Sequence, residues 1–289
     1  MRIITNEIVT DFKLYLYEEE KSENTIKKYI HDISVFRKWM KNCELDKSVV
    51  LKYKQELCEN YSPRSVNSIL SSLNALFSFA NRPDLKVKTL KIQRRIFSDK
   101  EKDLSKSEYE KLLITAKAQK NERLFYLIQT IGCTGLRISE LKYITVDSIK
   151  SGQAIINCKG KIRQIFLPKQ LCEMLKIYVT QQKIEKGPVF ITKSGNPLDR
   201  SAIWKMMKKL CESANVDKNK VFPHNFRHLF ARTFYSLQKD IVRLADILGH
   251  SSIETTRIYT IESGEIHKMQ LQKLGLLQYN EFIDKSLSS

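Results

Sequence analysis

Five side chains in the C-terminal half combine types and spacings suited to chemistry on a phosphate. Arg137 follows a glycine turn in Thr134-Gly135-Leu136-Arg137-Ile138-Ser139-Glu140-Leu141. His224 and Arg227 stand three apart in His224-Asn225-Phe226-Arg227-His228, His250 follows Leu248-Gly249, and Tyr259 comes nine residues after His250 in Thr255-Thr256-Arg257-Ile258-Tyr259. A phosphate under in-line attack spreads charge over its equatorial oxygens, and two guanidiniums can bind those oxygens bidentately while remaining charged. Arg137 and Arg227 are the candidates for that clamp. A free tyrosine has a pKa of about 10, so Tyr259 as a nucleophile needs a base or a strongly cationic pocket. His224 is positioned in the sequence to assist that proton transfer. Singly, each feature has a blander reading: a surface arginine, a polar helix face, a core aromatic. Their joint occurrence on a chain of net charge +18 gives them weight.

Order and spacing resemble the tyrosine recombinase, or phage integrase, family. Its pattern is an Arg in T-G-x-R-x-x-E-L, a Lys on a β-hairpin, H-x-x-R, L-G-H, and a nucleophilic Tyr shortly after. The likeness covers roughly residues 103–270, and the helical N-terminal part resembles the family's core-binding domain more loosely. Phe226 departs from the pattern, where Leu is commoner, which should alter packing only. The resemblance implies attack by Tyr259 on phosphorus, giving a 3′-phosphotyrosyl intermediate and a free 5′-hydroxyl. It also implies a general-acid lysine, which Lys159 in Asn157-Cys158-Lys159-Gly160-Lys161 matches best, with Lys161 as competitor. His250 would hydrogen-bond the phosphate, while Glu140 and His228 would orient the clamp from behind. Because the phosphotyrosyl bond stores the backbone linkage, no nucleotide cofactor is expected. There is no P-loop and no clustered Asp/Glu/His set calling for a metal.

The implied partner is duplex DNA with inverted half-sites, bound by a homodimer on one site and a homotetramer in the synapse. The chain would close on the duplex as a C-shaped clamp, and strand exchange would pass through a Holliday junction. The biological role stays open between integration or excision of a mobile element and resolution of dimers or cointegrates. Two other readings are kept: a type IB topoisomerase-like enzyme, and a catalytically silent DNA-binding regulator of the same fold.

These residues must be positioned by a mainly α fold. Residues 1–85 read as four amphipathic helices, a SAM-like core-binding domain. Their apolar stripes are Ile8, Val9, Phe12, Tyr15 and Leu16; Ile26, Tyr29, Ile30, Ile33 and Phe36, capped by Asn24 or Ser22; Val49, Val50, Tyr53 and Leu57; and Val66 to Ala80 after a Ser62-Pro63 start. Residues 86–103 read as a basic interdomain linker whose Lys86, Lys88, Lys91, Arg94 and Arg95 are candidate DNA contacts, joined by Lys161 and Arg163. Residues 104–289 read as a mixed α/β catalytic domain with a C-terminal tail. A capping box at Ser105–Glu108 opens it, and a helix ends near Gly132 or Gly135. Three β-favouring runs, Ile144–Val146, Ala154–Ile156 and Gln164–Leu167, predict a small antiparallel sheet. The tail beyond Ile266 is apolar enough to bury, within its own chain or in a neighbouring protomer.

The length of 289 residues suits two domains, and a hydrophobic content of 42% suits a buried core. The charge excess favours a polyanionic partner. Six scattered cysteines without C-x-x-C spacing point to reduced thiols. With no signal-peptide pattern and no long apolar run, a soluble cytoplasmic protein is expected.

Overall fold

A computed structural model describes residues 3–41, 43–92, 102–158, 161–259 and 264–274. Its contacts divide the chain between Arg94 and Arg95 into two units, each with its own core.

The first unit holds α1 (Asn6–Glu18), α2 (Glu23–Met40), α3 (Lys47–Asn60) and α4 (Pro63–Phe79). Each begins where a short oxygen-bearing side chain can take up an orphan amide: Thr5, Ser22, Asp46 and Ser62 accept from Ile8, Thr25, Val49 and Ser65. Ser22, rather than Asn24, caps α2. The apolar stripes meet in a core that includes Phe12, Ile33, Phe36, Val50, Leu57, Leu73 and Phe77. Burying a side chain of this size contributes about 1.5–3 kcal/mol. Truncating a central one, as in Leu73→Ala, costs about 2–5 kcal/mol. Ser72 of α4 donates to Asp32 of α2 at 2.6 Å, and Lys28 reaches the same carboxylate at 2.5 Å, so charge-assisted bonds tie these two helices together.

The chain after α4 stays with this unit. A 3₁₀ turn at Pro83–Leu85 buries Leu85, and Val87 is buried next. The Asn74 amide donates to the Val87 carbonyl at 2.8 Å and accepts from the Val87 N–H at 3.0 Å. Asn67 does the same for Leu90, at 2.9 and 2.7 Å. Seven helical residues and three extended residues both span about 10 Å, which is why two asparagines a heptad apart can hold Val87 and Leu90. Lys47 and Lys54 add bonds to the Lys86 and Lys88 carbonyls. The linker expected from residue 86 is therefore fastened to the first unit as far as Leu90, with Lys86, Lys88 and Lys91 exposed. Arg94 and Arg95 lie outside the described residues.

The second unit opens with the capping box: Ser105 accepts from the Glu108 amide at 3.1 Å, and Glu108 accepts from the Ser105 amide at 2.8 Å. Helix α5 (Lys106–Ala118) follows, then α6 (Glu122–Thr134), which ends at Gly135 in the left-handed conformation at φ +63°. Helix α6 packs against α5, α8 (Lys169–Gln181) and α10 (Pro223–Gln238), so much of this core forms around it. Of the three expected strands, two form: β1 (Gln153–Cys158) pairs antiparallel with β2 (Lys161–Phe166), Ile156 opposite Arg163. The Ile144-Thr145-Val146 run makes only an isolated antiparallel bridge, Thr145 to Pro188, and then starts a helix. Thr145 and Ser148 cap each other's amides at 3.1 and 2.8 Å, opening α7 (Val146–Ser151).

Helices α9 (Arg200–Ala214), α11 (Ile241–Leu248), α12 (Ile253–Thr256) and α13 (Gly264–Lys273) complete the unit, with a 3₁₀ turn at Arg257–Tyr259. Met269, Leu271 and Leu274 of the apolar tail are exposed, and residues 275–289 lie outside the described residues. Among the described residues no helix is long and apolar enough to cross a membrane.

Candidate active site

Helix α10 supplies three of the site residues because its period brings His224, Arg227, His228 and Ala231 onto one face. Arg227 is only 1% exposed, and its guanidinium is held by backbone. Its Nη1 donates to the Gly135 carbonyl at 2.6 Å and its Nη2 to the Leu248 carbonyl at 2.7 Å. Both acceptors sit at helix C-terminal ends, where carbonyls lack helical partners and carry partial negative charge. Desolvation first, then the Arg137 charge, pushes the Arg227 pKa down to about 10, with Tyr259 and Glu140 acting the other way. It remains a cation at neutral pH.

Arg137 lies across the same helix end. Its Nη1 is 3.1 Å from Glu140 Oε1 and 3.4 Å from the Leu248 carbonyl, so one carbonyl receives both arginines. The Arg137 side chain is 42% exposed, which makes it the outward half of the pair.

Glu140 is 2% exposed and fully engaged. Besides Arg137 Nη1 it accepts the Arg137 backbone N–H at 2.8 Å and Arg163 Nη2 at 2.6 Å. Arg163 also donates to the Ile247 carbonyl. The expectation for Arg163 was a DNA contact, but its guanidinium is turned inward instead. Sequence reasoning missed this role although a signal existed: strand alternation sets Arg163 on the same face as the buried Ile165. At Gly249, φ +63°, a Cβ would run into the Arg163 side chain. The L-G-H segment thus combines a shared carbonyl, a glycine that makes room and turns left-handed, and an imidazole.

That imidazole links the arginines to the tyrosine. His250 Nε2 lies 2.9 Å from Arg227 Nη2 and its Nδ1 lies 2.8 Å from Thr256 Oγ1. Its ring stacks on Tyr259 at 6.0 Å between centroids and 15° between planes. His228 meets the other ring edge-on at 4.8 Å and 84°, and His224 meets His228 at 4.6 Å. Tyr259 is 4% exposed and joins Ala231, Leu244 and Leu248 in a small apolar cluster.

All three imidazoles are shifted toward the neutral form. Desolvation leads in each: His250 falls to about 4 with help from Arg227, Arg137 and Arg163, and His228 to about 4 with help from His224, Arg232 and Arg227. His224 is lowered by desolvation, then Arg227, Arg137 and Arg200. Two further contacts seat α10: Arg232 pairs with Asp103 at 2.5 Å, and Asn225 donates to the Lys102 and Lys220 carbonyls at 2.9 and 2.8 Å.

Arg137, Arg227, His224, His228, His250, Glu140 and Tyr259 therefore come together. Lys159 lies outside the described residues. Of Lys161 only the backbone is described, paired with Cys158. Thr256 had no role in the sequence reading, and nothing local marks it out beside Thr255.

Fold and site together define a mainly helical domain in which two arginines, three imidazoles and a buried tyrosine converge beside one helix end. The chain belongs to the phage integrase family: that family matches residues 102–265, and the phage integrase N-terminal SAM-like domain matches residues 9–83. It is 28% identical to the tyrosine recombinase XerA of Thermococcus kodakarensis over 284 residues, covering 94% of this chain and 97% of that relative. In fold it is similar to XerH site-specific recombinase bound to difH substrate, with TM-score 0.66, 19% identity, and 90% and 87% of the two chains covered. It is similar as well to lambda integrase, solved as a tetramer bound to a Holliday junction, with TM-score 0.70, 16% identity and coverage of 89% and 77%.

Proposed function

We infer that Tyr259 is the nucleophile through which this site-specific DNA recombinase breaks and rejoins duplex DNA. The observation that carries this reading is the packing of the Tyr259 ring between His250 and His228, with the Arg227 guanidinium bonded to His250. In the proposed step the phenol oxygen bonds to phosphorus as the P–O5′ bond breaks. The phenol proton passes to His224, and the departing 5′ oxygen takes a proton from Lys159, with Lys161 as the competing donor. Arg137 and Arg227 hold the phosphate oxygens, and His250 adds a hydrogen bond. Re-attack by the 5′ oxygen of another strand reverses these transfers and releases the tyrosine, so the bond energy is conserved.

The substrate is duplex DNA with inverted half-sites, bound by a dimer and synapsed as a tetramer. The similarity to lambda integrase solved on a Holliday junction supports this assembly. Residues 104–289 form the catalytic unit with its tail. The exposed Lys86, Lys88 and Lys91, on a segment held by Asn67 and Asn74, supply phosphate contacts from the first unit. Binding then weakens steeply with salt as phosphate-bound counterions are released.

Covalent trapping tests the central assignment. Wild type and Tyr259→Phe are incubated with fragmented DNA of the source genome, denatured, and assayed for DNA that stays on protein. Adducts from wild type alone support Tyr259, and sequencing the trapped ends gives the site and with it the biological role. Equal adducts from both proteins would assign the attack to another residue. Binding without adducts from either would favour a silent DNA-binding protein.

A further inference from the structure

The bonds around His250 determine which of its nitrogens carries the proton. Arg227 Nη2 can only donate, so His250 Nε2, 2.9 Å away, must accept with its lone pair. In a neutral imidazole the proton then sits on Nδ1, which lies 2.8 Å from Thr256 Oγ1 and donates to it. Thr256 is fully buried at the end of α12, three residues before Tyr259. Its hydroxyl therefore holds the imidazole from the side opposite Arg227, while the face of the same ring stacks on Tyr259.

We propose that Thr256 is a positioning residue that, with Arg227, holds the tautomer and rotation of His250, keeping Nε2 directed at Arg227 and at the phosphate this arginine is to bind. The catalytic half of this inference rests on the recombinase reading above, while the tautomer itself does not. An arriving phosphate competes for Arg227, and its charge favours a proton on Nε2. His250 then takes up a proton from solvent on Nε2, becomes an imidazolium, and donates to the phosphate without turning, because Nδ1–H stays on Thr256. Without the hydroxyl, Nδ1–H is left buried beside an apolar group, and the ring gains by flipping or by moving the proton.

Two measurements on the full chain test this. In the DNA-free protein, ¹⁵N-edited long-range spectra of the imidazoles read the tautomer directly, with His250 assigned by the signal missing in His250→Gln. Wild type and Thr256→Ser should show a protonated Nδ1 and an unprotonated Nε2. Thr256→Val, nearly the same shape without the hydroxyl, should lose that preference. In covalent trapping on fragmented genomic DNA, Thr256→Val should lower the adduct rate about tenfold or more at unchanged binding, the scale expected of a misplaced catalytic group. Thr256→Ser should restore it. An unchanged His250 tautomer in Thr256→Val would overturn the proposal, as would a serine variant no better than valine. If wild type forms no adduct, the recombinase reading fails, and the spectra still decide the role of Thr256.

Discussion

Arg163 Nη2 lies 2.6 Å from Glu140 Oε2, so a strand residue and a residue of the 3₁₀ turn after Arg137 share one buried ion pair beneath the arginine cluster. The pair makes Arg163 part of the scaffold that holds Arg137. Removing Arg163 leaves Glu140 paired with Arg137 but takes away one buried charge-assisted bond, at a cost of about 1.5–3 kcal/mol. Arg163→Ala is expected to lose that much in urea unfolding, and Arg163→Lys somewhat less, since lysine keeps the charge without the fork. The slope of DNA affinity against salt should stay as in wild type. A slope smaller by about 1 with unchanged stability would instead make Arg163 a phosphate contact.

Gly249 and Gly152 separate two costs of adding a methyl group. Both have positive φ, +63° and +74°, but a Cβ at Gly152 meets nothing within 4 Å, whereas one at Gly249 meets Arg163. Gly152→Ala should therefore cost only the left-handed strain, about 1 kcal/mol. Gly249→Ala should cost more and also displace Arg163, lowering the adduct rate as well as the unfolding midpoint. Equal destabilisation of the two variants would show that Arg163 yields without consequence.

The lowered imidazole pKa values make stability depend on pH. His228 moves from 6.5 to about 4 on folding, chiefly by desolvation. The unfolded chain thus takes up its proton first as pH falls. The stability that goes with a neutral His228 is present above pH 6.5 and is lost on the way down to about 4. Between pH 7 and 5 this amounts to about 1 kcal/mol, allowing for solvent screening of a half-buried ring. His228→Phe should remove that share, so denaturation at pH 7, 6 and 5 should show a shallower decline than wild type. Parallel declines would mean that His228 titrates normally.

The leaving-group proton distinguishes the two hairpin lysines. Lys159→Ala should slow covalent capture while binding stays close to wild type, because a general acid acts on the departing oxygen. A substrate with a 5′-bridging phosphorothiolate, whose sulfur leaves without a proton, should rescue Lys159→Ala. Rescue of Lys161→Ala instead would move the role two residues along the hairpin.

Much of the fold was legible because its signals are local. Thr5, Ser22, Asp46, Ser62 and Ser105 cap helices through bonds spanning three residues, and apolar periodicity marked the buried faces of α1 to α4. Ile144–Val146 misled because Thr and Val favour strands, while the Thr145–Ser148 capping pair that decided the matter is a weaker pattern. The fastening of residues 86–90 had no local sign, since Asn74 and Asn67 act on backbone 13 and 23 residues away.

The candidate site divides the same way. Sequence alone determined that His224 and Arg227 stand three apart, that a helix ends near Gly132 or Gly135, and that Arg137 and Tyr259 belong to the same pattern, because spacing and the freedom of glycine are properties of a few neighbouring residues. Tertiary structure alone decided that the Leu248 carbonyl receives both Arg137 and Arg227, 111 and 21 residues distant, that Arg163 turns inward, and that Thr256 Oγ1 meets His250 Nδ1. Those outcomes depend on which donors and acceptors meet once water is excluded, and the pairing of buried polar groups is settled by the packing of whole helices.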